Sequence, residues 1–91
     1  MPLSHNVYTL GTGVATQIVT PQTQLQEVHL HNMTKSSNEY IYIGGPTVSL
    51  TNSIHLDPGE SLQIILGPGD SLYAVSDPDG LEVGVLTVKQ D

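Results

Sequence analysis

The amino-acid sequence predicts an all-β fold: a single antiparallel β-sandwich, or jelly-roll-like barrel, of about eight strands and no helix. Three proline turns recur ten residues apart, at residues 57–60, 67–70 and 77–80. Short strands separated by turn signals at this spacing are typical of sandwiches and barrels. No window places apolar residues at the spacing of an amphipathic helix, and the abundant Ile and Val favour strands.

The length of 91 residues accommodates one domain, which we place at residues 1–91. The chain contains no Phe, Trp or Cys, so its core must be built from Leu, Ile, Val and a few of its four Tyr. Without cysteine, disulfides and thiolate metal sites are excluded. A domain this small is therefore expected to gain stability from self-association or from docking onto a larger body.

The net charge of −7, with two Lys and no Arg, makes nucleic acid and anionic membranes poor partners. The first residues carry neither a basic region nor an apolar run, so we expect no signal peptide. No stretch approaches the ~18 apolar residues of a membrane span. We expect the protein to be synthesised in a cytoplasm.

Each predicted strand is rich in Val, Ile, Leu, Tyr or Thr and is bounded by Gly, Pro, Asn, Asp or Ser. The first two strands lie within residues 1–25, a segment that we expect to be available for contact with a neighbouring subunit. Gly11 and Gly13 frame the first turn, a polar loop with Pro21 follows the second strand, and Gly44 and Gly45 bend the chain after the fourth. The predicted strands are residues 7–10, 15–19, 26–32, 39–43, 47–50, 61–66, 71–76 and 81–89, with a short ninth at 54–56.

The first two proline turns carry the pattern of a type II turn. Pro58 and Pro68 set position i+1, while Gly59 and Gly69 supply the positive φ needed at i+2. The third turn fits a type I turn that is followed by Gly80. Residues 58–62 and 68–72 repeat Pro-Gly-acid-Ser-Leu. We interpret this repeat as the same turn and strand start occurring at two places in the chain.

The later strands are apolar on both sides, whereas residues 26–32 and 39–43 are apolar on one side only. Because a sandwich buries one face of each sheet, the second apolar face needs a cover. We expect a homo-oligomer interface; the alternative is that a loop or the N-terminal segment lies across it. The candidate interface residues are Tyr40, Tyr42, Ile65, Tyr73, Val75, Leu86 and Val88.

Glu27, His29 and His31 lie on one face of a predicted strand, within reach of a shared metal. The His-x-His pair resembles that of cupins, which would imply a metal-dependent enzyme. The Glu that cupins carry shortly after the second His is missing, and the later His55 lies outside the expected context. We therefore predict no metal and no cofactor, and interpret these histidines as surface or interface groups that could make an interface sensitive to acid.

No other pattern indicates catalysis. Asp77, Asp79 and Gly80 match the start of a calcium loop, but the remaining ligands are missing, so a turn is the better interpretation. Asp57, Glu60 and Asp70 would hold a cation only if they met at one rim of the sandwich. There is no nucleophile elbow, phosphate loop or dinucleotide fingerprint. We predict that the protein is not an enzyme.

Four pieces of residues 31–76 together are similar to small β-sandwich virion proteins of tailed bacteriophages, especially phages of actinobacteria. The pieces are His31-Asn32, Tyr-Ile-Gly-Gly-Pro-Thr-Val at 42–48, Leu-Asp-Pro-Gly-Glu-Ser-Leu at 56–62 and Leu-Tyr-Ala-Val-Ser at 72–76. The resemblance covers about half of the chain and includes no catalytic residue.

The resemblance implies a decoration (cement) protein that forms trimers on the outside of a phage head and contacts the major capsid protein. The location implied is the exterior of the capsid, after synthesis in a bacterial cytoplasm. The alternative is a carbohydrate- or receptor-binding module of a phage fibre or tail. In that case Tyr40 and Tyr42 would form the platform on which a sugar stacks.

Overall fold

The computed structural model describes residues 3–89, so the predicted domain of residues 1–91 extends two residues beyond it at each end. The described residues form strands and connecting loops, and none of them lies in a helix that could cross a membrane. The eight strands are Leu3–Thr9 (β1), Thr16–Val19 (β2), Gln26–Asn32 (β3), Tyr40–Gly44 (β4), Ile54–Leu56 (β5), Ser61–Leu66 (β6), Leu72–Asp77 (β7) and Glu82–Lys89 (β8).

The strands form two four-stranded sheets in which every neighbouring pair is antiparallel. Sheet A has the order β1-β8-β3-β6, and sheet B has the order β2-β7-β4-β5. Apart from the β4–β5 hairpin, each strand is followed along the chain by a strand of the opposite sheet. This is the strand order of an eight-stranded jelly roll, and it confirms the predicted all-β sandwich.

The core lies between the two sheets, where alternate residues of the strands meet. Val28 and Leu30 of β3 and Val83 of β8 face Ile41 of β4, and all four are almost completely buried. Burying a side chain of this kind is worth roughly 1.5–3 kcal/mol. The one-sided alternation of residues 26–32 and 39–43 therefore reports the inner faces correctly.

Buried polar side chains join the core to the loops. Asn32 is completely buried, and its Nδ2 donates to the carbonyls of Glu39 (3.0 Å) and Leu56 (3.1 Å). Its Oδ1 accepts from the amide (3.1 Å) and hydroxyl (2.7 Å) of Thr34. Asn32 thus ties β3 of sheet A to the ends of β4 and β5 in sheet B.

Residues 47–50 do not form the predicted strand. The Val48 amide donates to Gly45 O (3.0 Å), and the segment makes only an isolated bridge between Ser49 and Asn52. Both edges of β4 are already paired, with β7 and β5, so this segment has no partner despite its β-forming residues. A Cβ on Gly44 would lie 3.1 Å from Val48 Cγ2, so glycine permits this close return of the chain.

The first two proline turns match their prediction. Gly59 and Gly69 have φ of 75° and 84°. Each turn is closed twice by the acidic residue that follows the glycine: the Glu60 amide donates to Asp57 O (2.9 Å), and Glu60 Oε1 accepts from the Asp57 amide (2.8 Å). Asp70 makes the same pair of bonds with Gly67, at 3.1 and 3.0 Å. The repeated Pro-Gly-acid segment is therefore one self-closing turn used twice.

The third turn differs from the predicted type I turn. The Asp77–Pro78 peptide bond is cis, and Gly80, with φ of 88°, donates its amide to Leu10 O (2.8 Å) rather than back to Asp77. The Asp79 carboxylate accepts a hydrogen bond from the Thr12 amide. Contacts with the loop between β1 and β2 shape this turn. The four residues of the turn do not encode those contacts, so the sequence pattern could not reveal them.

Candidate interaction surfaces

The outward side of sheet A carries three of the four histidines. The strand register places His5 of β1, Leu86 of β8 and His29 of β3 side by side in one row, with His31 in the next. We call this surface the histidine face. Its residues are Leu3, His5, Val7, Glu27, His29, His31, Ser61, Gln63, Ile65, Gly84, Leu86 and Val88.

A shallow depression of about 560 Å³ lies at the centre of the histidine face. Its lining includes Gly84, which has no side chain, and Leu86, which shares that side of β8. The side chains that border it include His5, His29 and Gln63. The depression therefore brings imidazole and amide groups next to the apolar side chain of Leu86.

Glu27, His29 and His31 share this face, as predicted, but they bond to neighbours rather than to one common point. Glu27 Oε1 lies 3.2 Å from His29 Nε2 and accepts from Gln63 Nε2 at 2.6 Å. His31 Nδ1 lies 2.9 Å from Ser61 Oγ. Within residues 3–89 no group of three potential ligands is placed to hold a metal ion. The arrangement is a polar network across β3 and β6.

Exposed apolar side chains of the histidine face lie on its edge strands. Leu3 and Val7 of β1 are 64% and 50% exposed, and Ile65 of β6 is 66% exposed. Leu86 and Val88, on the interior strand β8, are half-buried between their neighbours. The unburied apolar surface of sheet A is thus greatest at β1 and β6.

The outward side of sheet B carries an aromatic group that we call the tyrosine face, made of Tyr40, Tyr42, His55 and Tyr73. The His55 ring lies 5.8 Å from the Tyr40 ring, edge to face, and 6.1 Å from the Tyr42 ring. Tyr42 and His55 are directly opposite each other on β4 and β5. The two tyrosines are half-buried, so one part of each ring remains accessible.

The seven predicted interface residues do not share one surface. Ile65, Leu86 and Val88 belong to the histidine face, whereas Tyr40, Tyr42, Tyr73 and Val75 point outward from the opposite sheet. Val75 is only 2% exposed within the single chain, so it is unsuited to contact another subunit. Alternation shows which residues share one side of a strand, but it does not show which sheet the strand joins.

Acidic side chains collect at one end of the sandwich. Asp57 and Glu60 lie at this end, while Asp70 lies at the opposite end of β6, so these three cannot share the cation suggested for them. The His55 ring lies 3.2 Å from the Asp57 carboxylate. Six of the eight acidic residues among residues 3–89 are at this end: Glu39, Asp57, Glu60, Asp77, Asp79 and Glu82.

The sequence prediction missed His5 as a member of the histidine face. It also missed the contacts of His55 with Tyr40, Tyr42 and Asp57. It started the first strand at residue 7, but β1 pairs with β8 from Leu3 onwards and so brings His5 into line with His29. The alternation of Leu3, His5 and Val7 was a usable signal. It is weak because the inward residues between them, Ser4 and Asn6, are polar.

No protein-family model and no curated protein matches this chain. It is similar in structure to a solved protein described as belonging to Bacillus endospore appendages, which form disulfide-linked pili. The TM-score is 0.62, the identity is 11%, and the match covers 99% of this chain and 87% of the other. At this identity the likeness concerns the fold alone. The chain has no cysteine, so disulfide linkage has no counterpart in it.

Proposed function

We propose that this chain is a structural virion protein, a decoration protein that binds the outside of a phage capsid as a homo-oligomer, most simply a trimer. The observation that carries the proposal is the histidine face, an outer surface with exposed Leu3, Val7 and Ile65 at its edges. The sequence resemblance of residues 31–76 to phage virion proteins supports the same assignment. The major capsid protein is the partner proposed.

Three of the residues that carry the resemblance serve the scaffold in this fold. Asn32 joins the two sheets, Gly44 allows the chain to return past Val48, and Glu60 closes its turn. None of them faces a pocket with catalytic groups. In the function proposed here the protein would act through its outer surfaces, as a part that adds contacts to an assembled shell.

The area of the histidine face is too small for a specific contact with the capsid through this face alone. Four strands about 4.8 Å apart and roughly 20 Å long give a footprint of about 400 Å². A standard specific interface needs roughly 800 Å² from each partner. Contacts between subunits and contacts to the shell would together supply the missing area, which is why an oligomer is proposed.

Co-sedimentation tests this function directly. The purified protein is mixed with empty heads of actinobacterial phages that lack it, and binding is followed by pelleting and by the temperature at which the heads open. We expect saturable binding and heads that open at a higher temperature. Heads that pellet without the protein at every concentration tried would contradict the proposal.

A matched pair of variants shows which sheet head binding requires. Ile54 and Ile65 are about equally exposed, at 67% and 66%, but lie on sheets B and A respectively. We expect Ile65→Lys to abolish head binding, through loss of a contact to the shell or to a neighbouring copy, and Ile54→Lys to preserve it.

A carbohydrate-binding module is the second candidate, favoured by the tyrosine face. Tyr40 and Tyr42 lie side by side around the His55 ring and keep part of each ring accessible. Sugar rings pack on aromatic surfaces of this kind. Binding on a glycan array that Tyr42→Ala removes would support this function, and an array without any signal would reject it. A metal-dependent enzyme is not proposed, because residues 3–89 bring no three ligands together.

A further inference from the structure

The two sheets differ in how their edges are protected. In sheet B, β5 has three residues, and β2 has four with a register shift between Gln17 and Val19. In sheet A, the edge strands β1 and β6 have seven and six residues and pair with their inner neighbours without a shift. Soluble proteins usually blunt an exposed edge with a short strand, a bulge, a proline or a charged residue. Sheet B uses these devices, and β1 and β6 do not.

The strand directions allow the two open edges to join. Every neighbouring pair in the order β1-β8-β3-β6 is antiparallel, so β1 and β6 run in opposite directions. If a second copy stands beside the first in the same orientation, its β6 lies antiparallel to β1 of the first. The joint therefore continues the alternation of the sheet. A sheet with an odd number of strands would not have this property.

The side chains of the two edges also match across such a joint. Leu3 and Ile65 occupy the two ends of one row of the histidine face, through Val88 and Glu27. Extending the row places Leu3 opposite Ile65 of the second copy, and these are the two most exposed hydrophobic residues on the face, at 64% and 66%. His5 then faces Gln63 of the second copy. Cross-strand pairs of this kind stabilise a sheet.

Charge favours the same contact. The chain carries a net charge of −7, yet no Asp or Glu lies in Leu3–Thr9 or in Ser61–Leu66. Six acidic residues lie at one end of the sandwich, in its loops and at the ends of β7 and β8, and none of the six is within β1 or β6. Two copies can therefore meet along these strands without bringing carboxylates into contact.

We propose that copies of this chain join by edge pairing, with β1 of one copy antiparallel to β6 of the next and sheet A continuous across the joint. The backbone groups that the two edges leave open hydrogen-bond to each other, and Leu3 packs against Ile65 of the second copy. Such a head-to-tail contact closes into a ring or continues as a filament, according to the rotation between copies. The inference deepens the proposed function by naming the contact through which the oligomer forms.

Disulfide trapping tests this joint, because the natural chain has no cysteine. The variant carrying both Leu3→Cys and Ile65→Cys is oxidised and analysed on a non-reducing gel. Within one copy the two positions are three strand spacings apart, about 14 Å, which is more than a disulfide can bridge. We expect a ladder of linked chains, or one closed oligomer. The single variants Leu3→Cys and Ile65→Cys should give at most dimers.

A two-fold contact between β1 strands is the competing arrangement. It would place Asn6, the middle residue of β1, next to Asn6 of the second copy. The variant Asn6→Cys then gives a covalent dimer. Dimers from Asn6→Cys together with no ladder from the double variant would overturn the proposal, as would a protein that remains monomeric at high concentration.

A second pair of variants avoids cysteine and oxidation. Val7→Lys places a charge on the β1 edge, while Val14→Lys places it in the loop that follows, where Val14 is 77% exposed. We expect Val7→Lys to give folded monomers and Val14→Lys to keep the native mass in solution. Equal masses for the two variants would contradict edge pairing. Head binding is measured in a separate experiment. Failure of disulfide trapping would reject the joint between copies, whereas failure of head binding would reject the proposed function.

Discussion

Gly59 and Gly69 occupy a backbone region that residues with a side chain avoid. Their φ angles are 75° and 84°, and a Cβ at either position would meet no atom within 4 Å. The demand for glycine at these sites is therefore conformational and not a matter of space. The Pro-Gly pair made it predictable, because the turn geometry is encoded by two adjacent residues.

Replacing either glycine by alanine tests this reasoning. An L-residue in the left-handed region costs about 1–2 kcal/mol, so Gly59→Ala and Gly69→Ala should lower the free energy of unfolding by that amount. Gly45→Ala is the matched control, since Gly45 also has open space but no positive φ. Denaturant unfolding measures all three. A loss in Gly45→Ala equal to that in Gly59→Ala would refute the conformational explanation.

Single buried residues were harder to foresee. Asn32 was recognised as part of a resemblance, but its four hydrogen bonds to Thr34, Glu39 and Leu56 depend on loops that return from the opposite sheet. A buried amide is tolerated only when its polar atoms are satisfied. The sequence shows the residue and not its partners.

At the scale of one element, the self-closing turn explains why Pro-Gly-acid-Ser-Leu occurs before both β6 and β7. In each four-residue turn, 57–60 and 67–70, the acidic side chain of the last residue accepts a hydrogen bond from the backbone amide of the first. The distances are 2.8 Å for Glu60 and 3.0 Å for Asp70. The acid therefore stabilises its own turn through a hydrogen bond inside that turn. The sequence pattern alone shows that the two segments are similar, but it does not show this bond. A cation is not needed to explain either carboxylate.

Removing these acids should weaken the turns independently. An intramolecular hydrogen bond contributes about 1 kcal/mol net, so Glu60→Ala and Asp70→Ala should each lower the free energy of unfolding by roughly that amount. The turns stand at opposite ends of β6, so the double variant should show the sum. Glu82→Ala, at an exposed position, is the control and should be nearly neutral. A double variant no less stable than either single one would contradict this account.

Strand prediction succeeded where a segment had both the composition and a place in a sheet. Ile54–Leu56 is short, yet it pairs with β4 and becomes an edge strand. Residues 47–50 have a similar composition but find both edges of β4 occupied. Strand formation depends on a partner, and composition cannot report whether one is free.

At the scale of the whole molecule, the inner faces of the sheets stabilise a single copy, whereas the proposed contact between copies would use exposed edge residues. Ile41 is fully buried between the sheets, while Ile65 is 66% exposed on the β6 edge. The two residues are chemically identical and differ only in where the fold places them. They therefore allow the two roles to be measured separately.

Truncating each isoleucine should give opposite results. Ile41→Ala should cost about 3 kcal/mol, because it removes a buried side chain and leaves a cavity, a large share of the stability of a small domain. Ile65→Ala should leave the unfolding of a dilute monomer almost unchanged and weaken association at high concentration. Thermal melting and analytical ultracentrifugation measure these effects. Unchanged association in Ile65→Ala would argue against the edge contact.

The sequence alone determined the fold class, the position of most strands, two of the three proline turns and the inner faces of β3 and β4. These properties are local: alternation along one strand and the dihedral needs of Pro-Gly are carried by neighbouring residues. Only the tertiary structure decided which sheet each strand joins. That decision divided one predicted interface into the histidine face and the tyrosine face, buried Val75 and aligned His5 with His29. Strand pairing joins residues far apart in the chain, so its outcome cannot be read from any single segment.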